Sequence, residues 1–401
     1  MTELKRSIGL PLLLFYGLGN ILGAGIYVLI GKVAGEAGMY MPFAFFVASV
    51  VAAFSALTYS ELSARFPLSA GEAVYIDEGF HLTTLSRLTG LLIAFAGMVS
   101  AATIARGFYG YFSLFVELPE PLVVAGIILV LGSLCLWGIS QSVMTAALLT
   151  LIEIAGLLLI IWTGSDALGN LPANIDSLLP PLQAAPMTGI VLGAFLAFFA
   201  FIGFEDMVNI AEEVKNPQHT LPAAILLALL IATLLYASVA LVAVLSVDVE
   251  TLSTSSAPLA DVLSATSDID PKIISLISML AIVNGALIQM IMASRLFYGM
   301  ARKGWLWRPL AHVSAGTRTP VTASVLVIMI ILGLALWFPL ETLAKSTSFL
   351  VLTVFALANA SLLAIKRSQP QPAGILNNPR WVPLTGFISC TALLIFQLLT
   401  G

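Results

Sequence analysis

Two stretches decide the reading of this chain: Gly17-Leu-Gly-Asn-Ile-Leu-Gly-Ala-Gly-Ile26 and Phe198-Phe-Ala-Phe-Ile-Gly-Phe-Glu-Asp206. Each interrupts a long apolar run near its middle. A bilayer-spanning helix needs about 20 largely apolar residues. Eleven segments meet that requirement, at 8–33, 39–64, 87–115, 121–140, 142–164, 188–210, 221–247, 272–301, 320–338, 342–366 and 381–400. The two glycine-containing stretches fall in the first and the sixth. Glycine inside a span often does no more than allow close packing, and that reading stands for either cluster taken alone. As a pair they say more. They lie five spans apart, and five is odd, so a second five-helix unit runs inverted relative to the first. Interrupted helices at matching places in two inverted halves point to a binding site at the membrane midplane. Unwound backbone is tolerated there only where it is buried or lines a wet cavity. The half-helix starting after the first break offers free N–H groups and a positive dipole to a carboxylate, and free carbonyls in the sixth span can receive an ammonium. Together these groups describe a receptor for the backbone shared by amino acids.

Composition agrees with a membrane protein. Of 401 residues, 59% are apolar and 9% charged, and the mean hydropathy is +1.03. A soluble domain carries about 25% charged residues. The 17 basic and 21 acidic side chains are too few to solvate a soluble surface, which excludes a water-soluble enzyme, a disordered chain and a nucleic-acid binder. A net charge of −4 argues further against polyanionic partners. Cys135 and Cys390 sit in apolar runs, and His81, His219 and His312 are scattered. Neither a disulfide scaffold nor a metal site is expected, no cofactor is implied, and no nucleophile–base constellation suggests an enzyme. The lysines and arginines in loops and helix ends fall twelve on one side of the membrane and three on the other. By the positive-inside rule the N-terminus is cytoplasmic and, with eleven spans, the C-terminus outside. The simplest home is a bacterial inner membrane, and the whole of 1–401 reads as one transmembrane domain. Repeat 1 covers about 8–164, repeat 2 about 188–366, and an extra helix 381–400. Pro222 is expected at the start of the seventh span, where prolines are favoured.

With those residues in hand, a family resemblance becomes specific. Gly23-Ala-Gly-Ile26 resembles the first-helix motif of the amino acid–polyamine–organocation (APC) family of transporters. The stretch from Phe198 to Pro222 resembles that family's sixth helix and following loop, and Ala293 to Gly304 its eighth helix and exit. The likeness covers about 8–366. It implies an all-α LeuT-like fold of two inverted five-helix repeats with helices 1 and 6 broken, about 11 transmembrane helices in all. In such a fold helices 1, 2, 6 and 7 move as a bundle against a scaffold of helices 3, 4, 8 and 9. By the same resemblance the substrate carboxylate meets the N–H groups of Ala24 and Gly25 in the motif opened by Gly23. The ammonium meets carbonyls of Ile21, Phe199, Ala200 and Ile202, and Phe204 occludes the site.

Ionisable residues inside spans cost about 2.5–3.5 kcal/mol each at the helix centre and need a reason. Glu153, in Leu151-Ile-Glu-Ile-Ala155, has no basic neighbour within a helical turn. It is expected to be neutral or paired across helices, switching between the two as a proton site; the alternative is a structural hydrogen bond to a kinked backbone. Many APC members carry Lys at the matching position, where it stands in for a sodium ion, and this chain reverses the charge. Glu205 and Asp206 follow the sixth-span break and read either as proton-sensing or cation-attracting groups or as caps on the second half-helix. Arg106 and Arg295 read as structural, with Glu153 a candidate partner for the first and Glu61 or Glu205 for the second. Ser294 resembles a position that supplies a hydroxyl to sodium in relatives of the fold.

The sequence therefore reads as a secondary active transporter of amino acids, neutral ones slightly favoured, working by alternating access and coupled to protons through Glu153, Glu205 and Asp206. The alternatives are an exchanger or uniporter of polyamines or other organic amines, and a sodium-coupled amino acid symporter. Its partners are a small-molecule amino acid or amine, protons or sodium, and the lipid bilayer. The oligomeric state is left open.

Overall fold

The computed structural model describes residues 6–23, 25–68, 71–137, 143–169, 178–314, 317, 319–369 and 374–400. The described residues are almost entirely helical. In chain order the helices are α1 (Leu10–Leu22), α2 (Gly25–Ala37), α3 (Met41–Arg65), α4 (Gly71–Phe80), α5 (Thr83–Phe112), α6 (Glu120–Trp137), α7 (Val143–Thr163) and α8 (Ser165–Gly169). There follow α9 (Ala184–Ala197), α10 (Pro217–Ser246), α11 (Val249–Thr254), α12 (Pro258–Thr266), α13 (Lys272–Arg302), α14 (Val321–Trp337), α15 (Leu340–Ser368) and α16 (Trp381–Thr400). Among the described residues, nine stretches are long and apolar enough to cross a membrane. One of them, Leu10–Arg65, runs through α1, α2 and α3, which a short 3-10 turn at Gly38–Tyr40 divides before α3. The apolar α14 adds a shorter helix of 17 residues. Helices apolar on all faces bury in lipid as well as in protein, and here Leu122, Leu129, Leu230 and Leu399 lie exposed on the outer surface. Trp137, Trp162, Trp337 and Trp381 are exposed at helix ends, where amphipathic rings meet the membrane interface. The chain is a multi-pass membrane protein.

Two sets of helices pack along one another. In the first, α10 lies on α3 and α1, and α9 lies on α2 and α3. In the second, α13 lies on α5, α14 on α6, and both partners touch across the set. Residues ahead of α1 pair with the segment ahead of α10: the N–H groups of Ser7 and Ile8 donate to Glu213 O at 2.9 and 3.0 Å, and Lys215 N–H donates to Ile8 O at 2.8 Å. This parallel bridge puts the start of the first span and the end of the sixth at the same end of the molecule. At the opposite end, α11 and α12 lie over α2, with Leu252, Leu259, Val262 and Leu263 fully buried. This acidic connection is thus a folded cover. Asp248 starts it by accepting the Thr251 N–H at 2.9 Å, and the Thr251 hydroxyl, with that N–H bond second, draws its carboxyl below the usual range.

One boundary differs from the sequence expectation. Pro222 lies inside α10, and Pro217 holds the first-turn position instead. Asn216 adopts a left-handed conformation (φ 47°) that turns the chain into α10 four residues earlier than the apolar run indicated.

Candidate functional site

The two interrupted spans meet. α1 ends at Leu22 and α2 begins at Gly25; Ala24, expected to offer an N–H to a carboxylate, lies outside the described residues. In the sixth span, α9 passes into a 3-10 turn at Phe198–Phe201, and the chain then opens at Ile202 (φ −68°, ψ 138°). Gly203 follows at φ +129°, a backbone conformation that side chains disfavour. The chain resumes as a 3-10 stretch, Glu205–Glu213, bent at Ile210, where an α-helical second half was expected. A long 3-10 run inside a span is uncommon and marks a hinge. Gly203 is pressed onto α1: a Cβ there would stand 2.6 Å from the carbonyl carbon of Asn20. Gly25 is pressed onto the other break, where a Cβ would stand 2.6 Å from that of Ala200. Two glycines, one on each span, therefore let the two unwound backbones touch.

Tyr236 of α10 bridges them. Its hydroxyl lies 2.7 Å from Ile21 O and 2.9 Å from Ala200 O, so its single proton serves two carbonyls that the helix breaks leave free. Both are carbonyls expected to meet an ammonium, and each keeps a second lone pair. Gly23 closes α1 by donating to Gly19 O at 3.0 Å. Beside this junction is a cavity of about 20 Å³, walled by Gly25, Phe199, Ile202, Ser100, Gly285 and Gln289 among others. That is room for about one water. Phe204 lines none of the cavities described. It is buried against Tyr59 and Phe355, with ring centroids 5.7 and 5.2 Å away.

Glu153 of α7 stands next to the first break and is fully buried. Its Oε1 accepts from Asn284 Nδ2 of α13 at 3.1 Å, and its Oε2 has no hydrogen-bond partner among the described residues. Its backbone carbonyl accepts the Tyr27 hydroxyl at 2.6 Å. Asn284 in turn sits close to Gly19, as does Thr150. Arg106, a candidate partner for Glu153, turns elsewhere: it donates to Glu120 at 2.5 Å and to Ala335 O at 2.9 Å. Ser294 is more than two helical turns beyond the α13 residues beside the first break, Asn284 and Gly285, and donates back to Ile291 O at 2.8 Å.

Glu205 and Asp206 part company. Glu205 Oε2 accepts the Gly203 N–H at 2.8 Å, so its carboxylate caps the break itself and not the stretch that follows. Among the described residues Asp206 accepts only from Gln289 Nε2, at 3.4 Å. Both face a second cavity of about 20 Å³ together with Glu72 of α4 and Ser100. Glu72 is buried, receives the Tyr59 hydroxyl at 3.4 Å, and is pushed up to about 7 by burial, with the Asp206 carboxylate adding to the rise. Glu61, a candidate partner for Arg295, is instead held by Arg65 at 2.8 Å and Lys366 at 2.6 Å. Tyr236, Asn284, Gln289 and Glu72 did not stand out in the sequence. The first three are single polar tips in apolar runs, and Glu72 lies between spans, where a carboxylate looks solvated.

Comparison with known proteins gives the class of protein to which the chain belongs. The chain belongs to the amino acid permease family, whose defining pattern matches residues 8–400, and it is a transporter, not an enzyme. It is 28% identical to a branched-chain amino acid permease of Bacillus subtilis, over 92% of this chain and 82% of that one. It is 27% identical to a methylthioribose transporter of the same organism, over 98% and 88%. It is also 29% identical to a vacuolar cationic amino acid transporter of Arabidopsis thaliana, covering 92% of this chain and 64% of the plant protein.

Proposed function

We propose that this protein is a proton-coupled secondary transporter of amino acids in the cytoplasmic membrane, with its N-terminus on the cytoplasmic side. Its architecture is the LeuT-like one, two inverted five-helix repeats with one further helix. The observation that carries the reading is the contact of the two helix breaks, with Glu153 buried beside the first and one of its oxygens unpartnered among the described residues. The substrate carboxylate is read onto the N–H groups at the start of α2, in the Gly23-Ala24-Gly25 motif. The ammonium is read onto the carbonyls of Ile21, Phe199, Ala200 and Ile202, in place of the Tyr236 proton. Phe204 then closes the site as the bundle rocks. An unpaired ionised carboxylate is costly in a dry interior, so Glu153 carries a proton there and releases it when the break opens to water. Glu205 and Asp206 serve as the acids on the exit side.

The apolar walls given by Phe199, Ile202 and Ile104, and the branched-chain permease among the relatives, favour neutral amino acids. The grouping of Glu72, Glu205 and Asp206 around one cavity, and the cationic amino acid transporters among the relatives, support a second reading in which the side chain is cationic. Uptake of labelled neutral and basic amino acids into proteoliposomes, with and without an imposed proton gradient and with and without sodium, tests both. Gradient-driven, sodium-independent uptake is expected. Uptake only with sodium, or only of amines lacking a carboxylate, would overturn the reading.

A further inference from the structure

Neither space beside the breaks can hold an amino acid as it stands, since each is about the size of one water. A third cavity, of about 420 Å³, is within the range of small-molecule sites. It is open past the end of α13, beside Lys303 and Trp305, and reaches inward to Asp206. Its walls carry opposite charges. Arg295, from the last third of α13, is exposed in it and makes no hydrogen bond or ion pair among the described residues. Asp206 is 4% exposed and, among the described residues, has no basic partner and only the long bond to Gln289. Both act electrostatically on Tyr16, another wall residue, which also feels Glu213. The remaining cation, Lys303, lies over the Trp305 ring at 4.9 Å. Ile288, Ile291, Met292 and Met300 add an apolar face to the same walls.

We propose that this cavity is a second amino acid site, in which the Arg295 guanidinium takes the substrate carboxylate and the Asp206 carboxylate takes the ammonium. The inference rests on the transporter reading and extends it. A zwitterion brings both missing counter-charges at once. The planar guanidinium fork matches a carboxylate in two parallel hydrogen bonds, and the ammonium neutralises an acid that has no base among the described residues. The apolar strip receives the side chain. Because this space is open while the space at the breaks is shut, the site holds the amino acid on its way between the breaks and the aqueous phase.

The test needs no knowledge of the transported amino acid, because glycine carries both recognised groups and nothing else. The purified full-length protein is treated with phenylglyoxal, and modification of Arg295 is read by peptide mass spectrometry with glycine, acetate or glycinamide present. Glycine is expected to protect Arg295. Acetate, lacking the ammonium, is expected to protect roughly tenfold less well, the measure of one lost charge-assisted contact, and glycinamide not at all. In Asp206→Asn, glycine and acetate are expected to protect equally. Equal modification with and without glycine would overturn the proposal, as would protection confined to Lys303 in a parallel amine-labelling run. A glycine-to-acetate ratio near one in the unmodified sequence would overturn it even where the Asn variant fails to fold. Protection in a protein that moves no amino acid into vesicles would instead count against the transport reading and leave the site standing.

Discussion

Glu153 and Tyr236 show what a single side chain contributes to the junction, and how differently the two could be read in advance. A carboxyl in the middle of an apolar span announces itself, because its burial has a cost that some function or partner must offset. A tyrosine in such a span does not, since its ring belongs there and only its hydroxyl needs a partner. No property of the α10 sequence says that the hydroxyl of Tyr236 reaches the carbonyls of Ile21 and Ala200. Tyr236→Phe takes the shared donor from both buried acceptors and is expected to lower stability by about 1–3 kcal/mol, measured by thermal unfolding in detergent. Glu153→Gln keeps the shape of the side chain and removes its titration. Substrate binding should survive and the pH dependence of uptake should vanish; a mutant whose uptake follows the parent's pH profile would remove Glu153 from the coupling.

The helix breaks were legible as elements because their glycines cluster, and their contact was not, because it depends on how two distant spans cross. Gly203 carries both requirements, a positive φ and backbone of α1 where a Cβ would be. Gly203→Ala is therefore expected to cost more than the about 1–3 kcal/mol of backbone strain alone, and thermal unfolding would register it. The ends of the helices offer a contrast in ion pairs. Glu61 is fully buried, held by Arg65 and Lys366, whose side chains are each 3% exposed; its other oxygen accepts the Asn378 N–H at 2.7 Å. This ties α3, α15 and the approach to α16 together. Glu61→Gln strands two buried cations and is expected to cost about 3–5 kcal/mol. Glu341→Gln removes a pair whose acid is 43% exposed and should change stability by no more than about 1 kcal/mol. Charge near the ends of apolar runs gave no sign of which pair would be buried, and the cover formed by α11 and α12 falls between the spans counted from the sequence, where nothing marked it as folded.

For the molecule as a whole, composition settled that it lives in a membrane, and the motifs settled its family. What composition does not encode is the conformation in which the chain rests: covered by α11 and α12 at one end, open at the other through the cavity that reaches Asp206. Nor does it reveal that Glu72, outside the spans, is buried with the acids of the sixth. Burial raises the Glu72 carboxyl from its ordinary 4.5 to about 7. Between those values the unfolded chain has lost this proton while the folded chain keeps it, so the contribution of Glu72 to stability is full below the lower value and declines toward the upper one. Glu72→Gln should consequently be more stable than the parent above neutral pH, by on the order of 3 kcal/mol, with the difference closing in acid; melting curves across that range would reveal a constant offset if the account is wrong.

The central claim is that the touching breaks receive the backbone of an amino acid. Its most direct test is the thermal stabilisation of the purified protein by amino acids, by their carboxylate-free amines and by their esters, since a ligand that binds only the folded state raises the melting temperature. The account predicts stabilisation by at least one free amino acid, lost with its ester and its amine, independent of sodium and stronger in acid. Equal stabilisation by amines that lack the carboxylate would contradict it.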